Sequence, residues 1–331
     1  MDKKKKRIAL VCGGDSSEYV VSLRSAQGIW SFLDHAKYDV HVIEMRHGVW
    51  RRVAYDGREY DWDKTQPVSR EDFTVELDGE RLRFDFAYIT IHGTPGENGV
   101  LQGYFDLIGL PYNCCDVFAA ALTCNKYVCN RYLSTFGIPV AKSLLLRGGT
   151  VPEADEVVRR LGLPVFVKPN TGGSSFATFK VTTPEALPAA VQAAFGEAPE
   201  VIVESFMAGT EISCGCYMSR DGLRALPITE VVPEDEFFDY DAKYNGRVEE
   251  ITPARLTPEL TAQVQATTRA VYGYVQARGI IRVDYIIVDG VPHVLEVNTT
   301  PGMTATSFIP QQVRAAGLDI ADVMDDVINQ P

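Results

Sequence analysis

The chain of 331 residues carries a formal net charge of -12, and 46% of its residues are hydrophobic and 23% charged. This length allows two or three domains with separate cores, and the composition is typical of globular proteins. The longest unbroken apolar run, residues 117–122, is too short to cross a bilayer, and the excess of acidic residues disfavours nucleic acid as a partner. Seven cysteines without C-x2-C spacing, and no export signal, favour a reduced cytosolic protein without a zinc site.

The first predicted unit, residues 1–115, alternates strands and a helix. A strand ends in the Gly13–Gly14 turn and is followed by a helix that begins near Ser17 or Ser22. Two further strands, with a charged and turn-rich hairpin region between them, are predicted at residues 38–45 and 84–91. This alternation predicts a parallel α/β domain with binding sites at the strand ends.

Two more units follow. Residues 116–209 begin with one helical pattern over 116–136 and continue as short β-rich segments around a second helix, which predicts a small α+β domain. Residues 210–331 contain long strands, a helix over 258–278, a hairpin and a closing amphipathic segment.

The hairpin joins the segments IRVDYIIV and VPHVLEVN through Asp289–Gly290, a strong turn signal. A two-residue loop would put Asp284 opposite Leu295, on the wrong face for Glu296. A three-residue loop that includes Val288 instead pairs Arg282 with Glu296. We therefore predict the three-residue loop.

In this predicted register Arg282, Asp284, Glu296 and Asn298 share one face of the hairpin. Carboxylate and amide oxygens are ligands for Mg²⁺, which completes its shell with water and phosphate. Taken alone, the segment fits a solvated face of arginine–carboxylate pairs equally well.

A glycine-rich segment, LPVFVKPNTGGSSFATFKV, predicts a turn between two strands. Its adjacent glycines allow backbone N–H groups to converge on an anion, and Lys168 adds a positive charge. The segment is neither a Walker A motif nor G-x-G-x-x-G, and taken alone an ordinary turn is the simpler interpretation. Lys126, Glu204 and Glu211 lie near it in sequence. Strand-end carboxylates can bind the edge of adenine or ribose hydroxyls, although singly each is more typical of an ordinary surface charge.

Together these segments resemble the D-alanine:D-alanine ligases of the ATP-grasp superfamily along nearly the whole chain. The matching motifs are GGDSSEYVVSL (13–23), TIHGTPGENGVLQG (90–103), LTCNK (122–126), LPVFVKPNTGGSS (163–175), FFDYDAKY (237–244), IRVDYII (281–287) and LEVNTTPGMT (295–304). The resemblance implies a three-domain ATP-grasp fold of α/β and α+β class, with an N-terminal parallel α/β (pre-ATP-grasp) domain. It also implies ATP-dependent, ADP-forming ligation of two D-alanines to D-alanyl-D-alanine, through an acyl phosphate, for peptidoglycan synthesis.

The resemblance assigns residues to the nucleotide and to metal. Two Mg²⁺ ions, replaceable by Mn²⁺, would be held by Asp284, Glu296 and Asn298. The implied ATP contacts are Lys126 and Lys168 on the phosphates, Lys243 near the γ-phosphate, Glu204 and Phe206 at the adenine, and Glu211 at the ribose.

It also assigns the substrate and catalytic residues. These are Glu18 on the first ammonium group, His92 beside it, Ser307 on the second carboxylate, Ser174 and Tyr244 in a closure with Glu18, and Arg282 and the Gly302 N–H on the oxyanion. The segment 234–248 is expected to be a lid, because water would hydrolyse an acyl phosphate. A homodimer formed through the N-terminal domain and a cytoplasmic location are further implications.

The chain departs from the family at Tyr19 and Val20, where charged or polar residues are common, and at Ala177, where glycine is usual. Relatives that use D-lactate or D-serine as second substrate share the scaffold, and Tyr244 favours the dipeptide product. A nucleotide-binding protein without turnover is a second hypothesis, disfavoured by Glu18 and Arg282. A dinucleotide-dependent oxidoreductase is a third, disfavoured by the absence of G-x-G-x-x-G.

Overall fold

The computed structural model describes residues 4–173, 177–233 and 248–330. Across these ranges, no helix has both the length and the apolar character needed to cross a membrane. The strands are β1 (Lys6–Gly13), β2 (Tyr38–Arg46), β3 (Val49–Tyr55), β4 (Tyr60–Pro67), β5 (Val75–Leu77), β6 (Glu80–Leu82), β7 (Phe86–Ile89), β8 (Ser143–Arg147), β9 (Val165–Pro169), β10 (Phe179–Val181), β11 (Glu200–Ser205), β12 (Thr210–Ser219), β13 (Gly222–Pro233), β14 (Val248–Ile251), β15 (Ile280–Val288) and β16 (Val291–Asn298). The helices are α1 (Tyr19–Phe32), α2 (Val100–Ile108), α3 (Val117–Cys124), α4 (Lys126–Ser134), α5 (Ala154–Leu161), α6 (Leu187–Phe195), α7 (Pro258–Tyr274), α8 (Phe308–Ala315) and α9 (Ile320–Ile328).

The N-terminal sheet has the strand order β4-β3-β2-β1-β7. Strand β1 is parallel to both β2 and β7, whereas β3 and β4 extend the sheet in antiparallel fashion. The predicted parallel unit is therefore confirmed, with β7 shorter than the predicted strand at 84–91. Helix α1 packs on β1 and begins after Glu18, so that this residue lies near the carboxyl end of β1, where parallel sheets bind ligands.

The central sheet is four-stranded and antiparallel, in the order β10-β9-β11-β8. Helix α6 packs on β9, β10 and β11, and Val157 of α5 is buried in the same core, which also includes Val167, Val191 and Val203. Strands β9 and β10 form a hairpin on either side of the glycine-rich segment, as predicted.

The third sheet has the order β14-β13-β12-β15-β16, and all neighbouring strands are antiparallel. Helix α7 packs on β12 and β13 and ends about one turn before the predicted boundary at residue 278. Helices α3 and α4 belong to the same core, because Ala119 and Leu133 are buried in one cluster with Val283 and Val294.

The single helix predicted over 116–136 is wrong, because the chain breaks at Asn125 into α3 and α4. Asn125 has an extended backbone, with φ -94° and ψ 97°, and its side-chain oxygen accepts a hydrogen bond from the Val128 N–H. Asparagine competes with the helical backbone in this way, and it is one of the preferred N-cap residues. The break makes Lys126 the first residue of α4.

Candidate active site

The β15–β16 hairpin has a two-residue loop, so the predicted three-residue loop is wrong. Val288 pairs with Val291, and both Asp289 and Gly290 have positive φ, as in a type I′ turn. The pairing shifts between Asp284 and Tyr285 through a bulge at Leu295.

Because of this bulge, the four predicted side chains nevertheless lie on one face of the hairpin. The bulge places Asp284 opposite Glu296 and Arg282 opposite Asn298. On the other face, Val294 and Val297 are both buried in the same core, although they are three positions apart in sequence. An odd spacing between two core residues requires such an extra residue, because regular strands alternate with a period of two.

Contacts from α4 and the segment after it hold the bulge in place. The Nδ2 group of Asn130 donates to the Leu295 carbonyl at 3.3 Å, and the Val294 N–H donates to the Pro139 carbonyl at 2.8 Å. The outer edge of β16 is thus paired where its contacts with β15 are interrupted.

Asp284 is the most heavily hydrogen-bonded side chain of this face. Arg282 forms a bidentate ion pair with it at 2.9 and 2.7 Å, Ser213 on β12 donates to it at 2.7 Å, and Asn298 donates at 3.0 Å. Burial, the largest single influence, acts to lower the pKa of Arg282, but the charge and hydrogen bonds of Asp284 together with the charges of Glu296 and Glu97 keep that pKa above its usual value. The guanidinium also lies 5.4 Å from the ring centre of Phe308.

The donor set of this face fits Mg²⁺ in one specific way. Among the described residues, no cluster of three or more histidine, cysteine, aspartate or glutamate side chains could hold a metal by itself. Two carboxylates, Asp284 and Glu296, and the amide of Asn298 are present instead. Mg²⁺ is commonly bound by one or two carboxylates together with phosphate and water. The face therefore suits a metal that arrives with a phosphorylated substrate.

Lys126 connects this face to the glycine-rich turn. Its ammonium group lies 3.5 Å from Glu296 Oε2 and also donates to the Gly172 carbonyl. Lys126 therefore contacts the two segments that were predicted, independently, to bind metal and phosphate.

Lys168 and Glu204 form a buried ion pair in the central sheet, with 2.6 Å between Nζ and Oε2. Burial acts to lower the pKa of Lys168, while Glu204 and then Glu296 and Glu211 act to raise it, and the net pKa is raised. Within the described residues, the buried Oε1 of Glu204 has no hydrogen-bond partner. Phe206 lies nearby, with Lys180 4.5 Å from its ring centre. One acceptor of this buried ion pair therefore has no partner among the described residues.

A cavity of about 330 Å³ brings most of the remaining predicted residues together. It is lined by residues from all three predicted units, among them Glu18, His92, Lys126, Arg282, Glu296, Asn298, Gly302 and Ser307. The glycine-rich turn closes one side, because a Cβ on Gly173 would lie 2.5 Å from Glu18 Oε2. Glu18 and the turn are thus in direct contact.

Helix α1 contacts two segments that border the cavity, those of His92 and Met303. Ser25 is fully buried, lies 3.2 Å from His92 Nε2 and accepts a hydrogen bond from the Met303 N–H at 3.4 Å. Gly28 approaches the Met303 carbonyl so closely that a Cβ there would lie 2.1 Å from it. The helix that presents Glu18 therefore also fixes the turn that contains Gly302.

Ser307 lies in the same turn region, immediately before α8. Its hydroxyl accepts a hydrogen bond from the Thr304 N–H at 3.0 Å and lies 2.8 Å from the Thr304 hydroxyl.

Several cavity residues were missed by the sequence analysis: Arg24, Glu97, Cys124, Glu250 and Thr306. Glu97 is the clearest case, since it accepts hydrogen bonds from the Gly93 N–H at 2.7 Å and from the Thr300 hydroxyl at 2.5 Å. Burial raises its pKa. A carboxylate within a glycine-rich turn after a strand was an available signal, but only His92 was selected from that motif.

Tyr19, a departure from the family pattern, anchors the start of α1. Its hydroxyl donates to the buried Glu44 at 2.9 Å, and Arg46 lies 4.0 Å from its ring centre. Arg51 donates to the other oxygen of Glu44 at 2.9 Å. Ala177, another of the three departures, has φ 53°, a conformation that glycine adopts at lower cost. Ser174, Lys243, Tyr244 and nearly all of the predicted lid lie outside the described residues.

Comparisons with known proteins agree along the whole chain. A family model described as D-ala D-ala ligase N-terminus matches residues 7–115, and one described as D-ala D-ala ligase C-terminus matches residues 132–329. A D-alanine–D-alanine ligase of Bacteroides fragilis is 58% identical over 325 residues, covering 98% of each chain.

Two solved structures illustrate the structural likeness. The VanG D-Ala:D-Ser ligase of Enterococcus faecalis matches with a TM-score of 0.86 at 31% identity, covering 98% of this chain and 99% of that one. The Bacillus anthracis D-alanine–D-alanine ligase complexed with ATP matches with a TM-score of 0.77 at 29% identity, covering 98% and 96%. The chain belongs to the D-alanine–D-alanine ligase family of ATP-grasp enzymes.

Proposed function

We propose that this enzyme joins two D-alanines into D-alanyl-D-alanine, with conversion of ATP to ADP and phosphate, in peptidoglycan precursor synthesis. The observation that carries the proposal is the shared cavity, in which Glu18, Lys126, Arg282 and the Glu296–Asn298 edge face one another. A carboxylate for an ammonium group, cations for phosphates and hard oxygen ligands are the groups that this reaction needs.

On the nucleotide side, Lys126 and Lys168 bind the phosphates, with Lys243 near the γ-phosphate. The unpartnered Glu204 oxygen supports a role as acceptor for the adenine amino group, beside Phe206. Glu211 binds the ribose, and its charge acts on Lys168, which supports its being nearby.

Asp284, Glu296 and Asn298 hold Mg²⁺, two ions with Mn²⁺ as a substitute. When bound by these residues, the metal would supply neutralisation of charge on the transferring phosphoryl group and on ADP. Asp284 already accepts hydrogen bonds from Arg282, Ser213 and Asn298, so metal binding would require at least one of these donors to turn away.

The first D-alanine is oriented by Glu18, which binds its ammonium group, with His92 alongside. Its carboxylate attacks the γ-phosphorus, ADP leaves, and an acyl phosphate forms. The direct approach of Gly173 to Glu18 supports a closure in which Ser174 and Tyr244 join Glu18 and exclude water.

The second D-alanine is held by Ser307 at its carboxylate. Its neutral amine attacks the acyl carbon, and the negative charge that develops on oxygen is stabilised by Arg282 and the Gly302 N–H. Loss of one such donor typically costs about 3 kcal/mol of barrier. The amine nitrogen gives up a proton, phosphate leaves as the protonated HPO4²⁻ ion, and the peptide bond is complete.

We also propose the domain limits 1–115, 116–209 and 210–331, a cytoplasmic location and a homodimer. The end of one family match at residue 115 supports the first limit. Two exposed apolar side chains of the N-terminal unit, Val100 and Leu107 on α2, support an N-terminal interface. Sedimentation of wild type and Leu107→Asp tests this interface.

A second candidate is ligation of D-alanine to D-serine, favoured by the likeness to the E. faecalis D-Ala:D-Ser ligase. A coupled assay of ADP release, with ATP and Mg²⁺, separates the candidates when D-alanine is supplied alone, with D-serine, or with D-lactate. We expect turnover with D-alanine alone and a dipeptide identified by mass. Turnover only with a mixed pair would reassign the second substrate, and none with any pair would refute the ligase function.

A further inference from the structure

Asn170, a residue without an assigned role, lies at the junction between β9 and the glycine-rich turn. It follows Lys168 by two residues and is fully buried. Its backbone N–H donates to the Glu200 carbonyl at 2.9 Å, which fixes it to β11. Its side chain and carbonyl face the N-terminus of α4.

The first N–H groups of α4 are bound mainly by Asn170. The Lys126 N–H donates to the Asn170 carbonyl at 3.1 Å, and the Tyr127 N–H donates to Asn170 Oδ1 at 2.9 Å. Asn125 binds the next N–H, that of Val128, at 3.0 Å. Helix N-termini leave such donors without intrahelical partners, so the residue that begins the turn completes the cap of α4.

The amide nitrogen of Asn170 makes the remaining bonds. Nδ2 donates to Asn125 Oδ1 at 2.9 Å and to Glu200 Oε2 at 2.7 Å. Glu200 is also held by Arg147 at 2.6 Å and Asn125 at 3.3 Å. These contacts lower the pKa of Glu200, Arg147 most strongly, so its carboxylate is ionised at neutral pH. Both amide hydrogens and the amide oxygen of Asn170 are therefore used.

The bonds of Asn170 connect the segments that carry Lys126 and Lys168. Lys126 begins α4, and its ammonium group returns to the Gly172 carbonyl two residues beyond Asn170. Lys168 lies on the strand that leads into Asn170. The two amines thus belong to separate segments, and Asn170 is bonded directly to both α4 and β11.

We propose that Asn170 is a positioning residue for ATP, which sets the amines of Lys126 and Lys168 toward the same phosphates by bonding the base of the turn to α4. The inference rests on the proposed function of the two lysines as phosphate ligands. It requires no contact between Asn170 and the nucleotide.

Asn170→Asp is the sharpest test, because it keeps the acceptor for the Tyr127 N–H and hence the helix cap. It removes both Nδ2 donors and places a second carboxylate against Glu200. We expect the KM for ATP to rise about tenfold while the KM for D-alanine stays within about twofold. ATP binding by calorimetry, without D-alanine, should weaken by the same factor.

The double variant Asn170→Asp/Glu200→Gln exchanges donor and acceptor, since the new amide at position 200 can donate to the new carboxylate at position 170. We expect it to recover at least threefold of the lost ATP affinity, the contact with Asn125 remaining impaired. Asn113→Asp is the matched control: a buried asparagine that pairs with the Ile89 backbone in the N-terminal sheet, where the same substitution should lower Tm without changing ATP affinity.

An unchanged ATP affinity in Asn170→Asp, an equal loss toward both substrates, or no recovery in the double variant would overturn the proposal. Failure of the proposed function is distinguishable, because wild type would then bind no ATP or release no ADP with D-alanine. ATP binding without ligation would still allow the Asn170 test by calorimetry.

Discussion

The β15–β16 face and the β9–β10 turn meet at Lys126, yet they are built differently. On the hairpin face side chains hold one another, with Arg282, Ser213 and Asn298 all donating to Asp284. In the turn the backbone matters more, because the missing side chain of Gly173 makes room for Glu18. The face should therefore respond to changes of charge, and the turn to changes of shape.

The largest effect is expected from Asp284→Asn. The substitution keeps the shape but removes the charge that pairs with Arg282 and that would bind Mg²⁺. Since metal-assisted charge stabilisation contributes several kcal/mol, ligation should fall by about a thousandfold or more, measured as ADP release. Asp289→Asn, in the turn of the same hairpin, is the control, because asparagine also suits a type I′ turn. A loss of less than tenfold in Asp284→Asn would contradict a charge-built face.

The same hairpin shows what could be predicted from the sequence. Within each strand, residues two apart share a face, which is a local property. That the two pairs meet on one face was predicted from a three-residue loop that is wrong, and the observed meeting results from the two-residue loop together with the bulge. The loop was wrong because the register depends on a bulge at Leu295. That bulge is held by Asn130, 165 residues away along the chain, and no local pattern encodes such a contact.

The residues around the cavity likewise differ in whether they could be predicted from the sequence. Glu18 and His92 could be selected by resemblance, but the roles of Ser25 and Gly28 depend on α1 packing against the turn at Met303, which is a tertiary contact. The break at Asn125 is the opposite case. Its N-cap signal was present locally, and it was hidden by the apolar pattern on both sides.

Gly173→Ala tests the shape-controlled turn. The new Cβ would displace Glu18 Oε2, the mobile end of a long side chain, so the fold should survive while the proposed ammonium ligand moves. We expect the KM for D-alanine at its first site to rise about tenfold, about 1.4 kcal/mol of binding, with Tm almost unchanged. Gly273→Ala on α7 is the control, because a Cβ there meets open space and should only stabilise the helix. An unchanged KM for D-alanine in Gly173→Ala would show that the binding role of Glu18 does not depend on the shape of the turn.

Glu97→Gln tests the contribution to stability of a cavity carboxylate that is hydrogen-bonded by neutral donors, whereas Asp284 is paired with a cation. Burial raises the pKa of Glu97 above its ordinary value of 4.5, against the opposing effect of His92. The folded chain therefore binds this proton more tightly than the unfolded chain. The contribution of Glu97 to stability is greatest at acid pH and falls as the pH rises through the folded-state pKa.

The variant should accordingly gain stability relative to wild type as the pH rises above 4.5, until Glu97 is fully ionised in both states. Urea unfolding of both chains at several pH values between about 5 and 8 measures this difference. A difference that does not change with pH would show that the site accommodates the charged carboxylate as well as water does.

Ala177→Gly should produce the smallest effect and addresses the turn alone. At φ 53° an alanine pays for a left-handed backbone, about 1–2 kcal/mol, which glycine avoids. Glycine also gains freedom in the unfolded chain, which costs about 0.4–1 kcal/mol, so the net stabilisation should be about 1 kcal/mol or less. Chemical unfolding measures it, with Ala177→Val as the opposite change, expected to destabilise because a β-branched residue tolerates positive φ poorly. If glycine destabilises the chain instead, residue 177 does not adopt a left-handed backbone in solution. The alanine side chain would then contribute to stability, as the side chains of the hairpin face do.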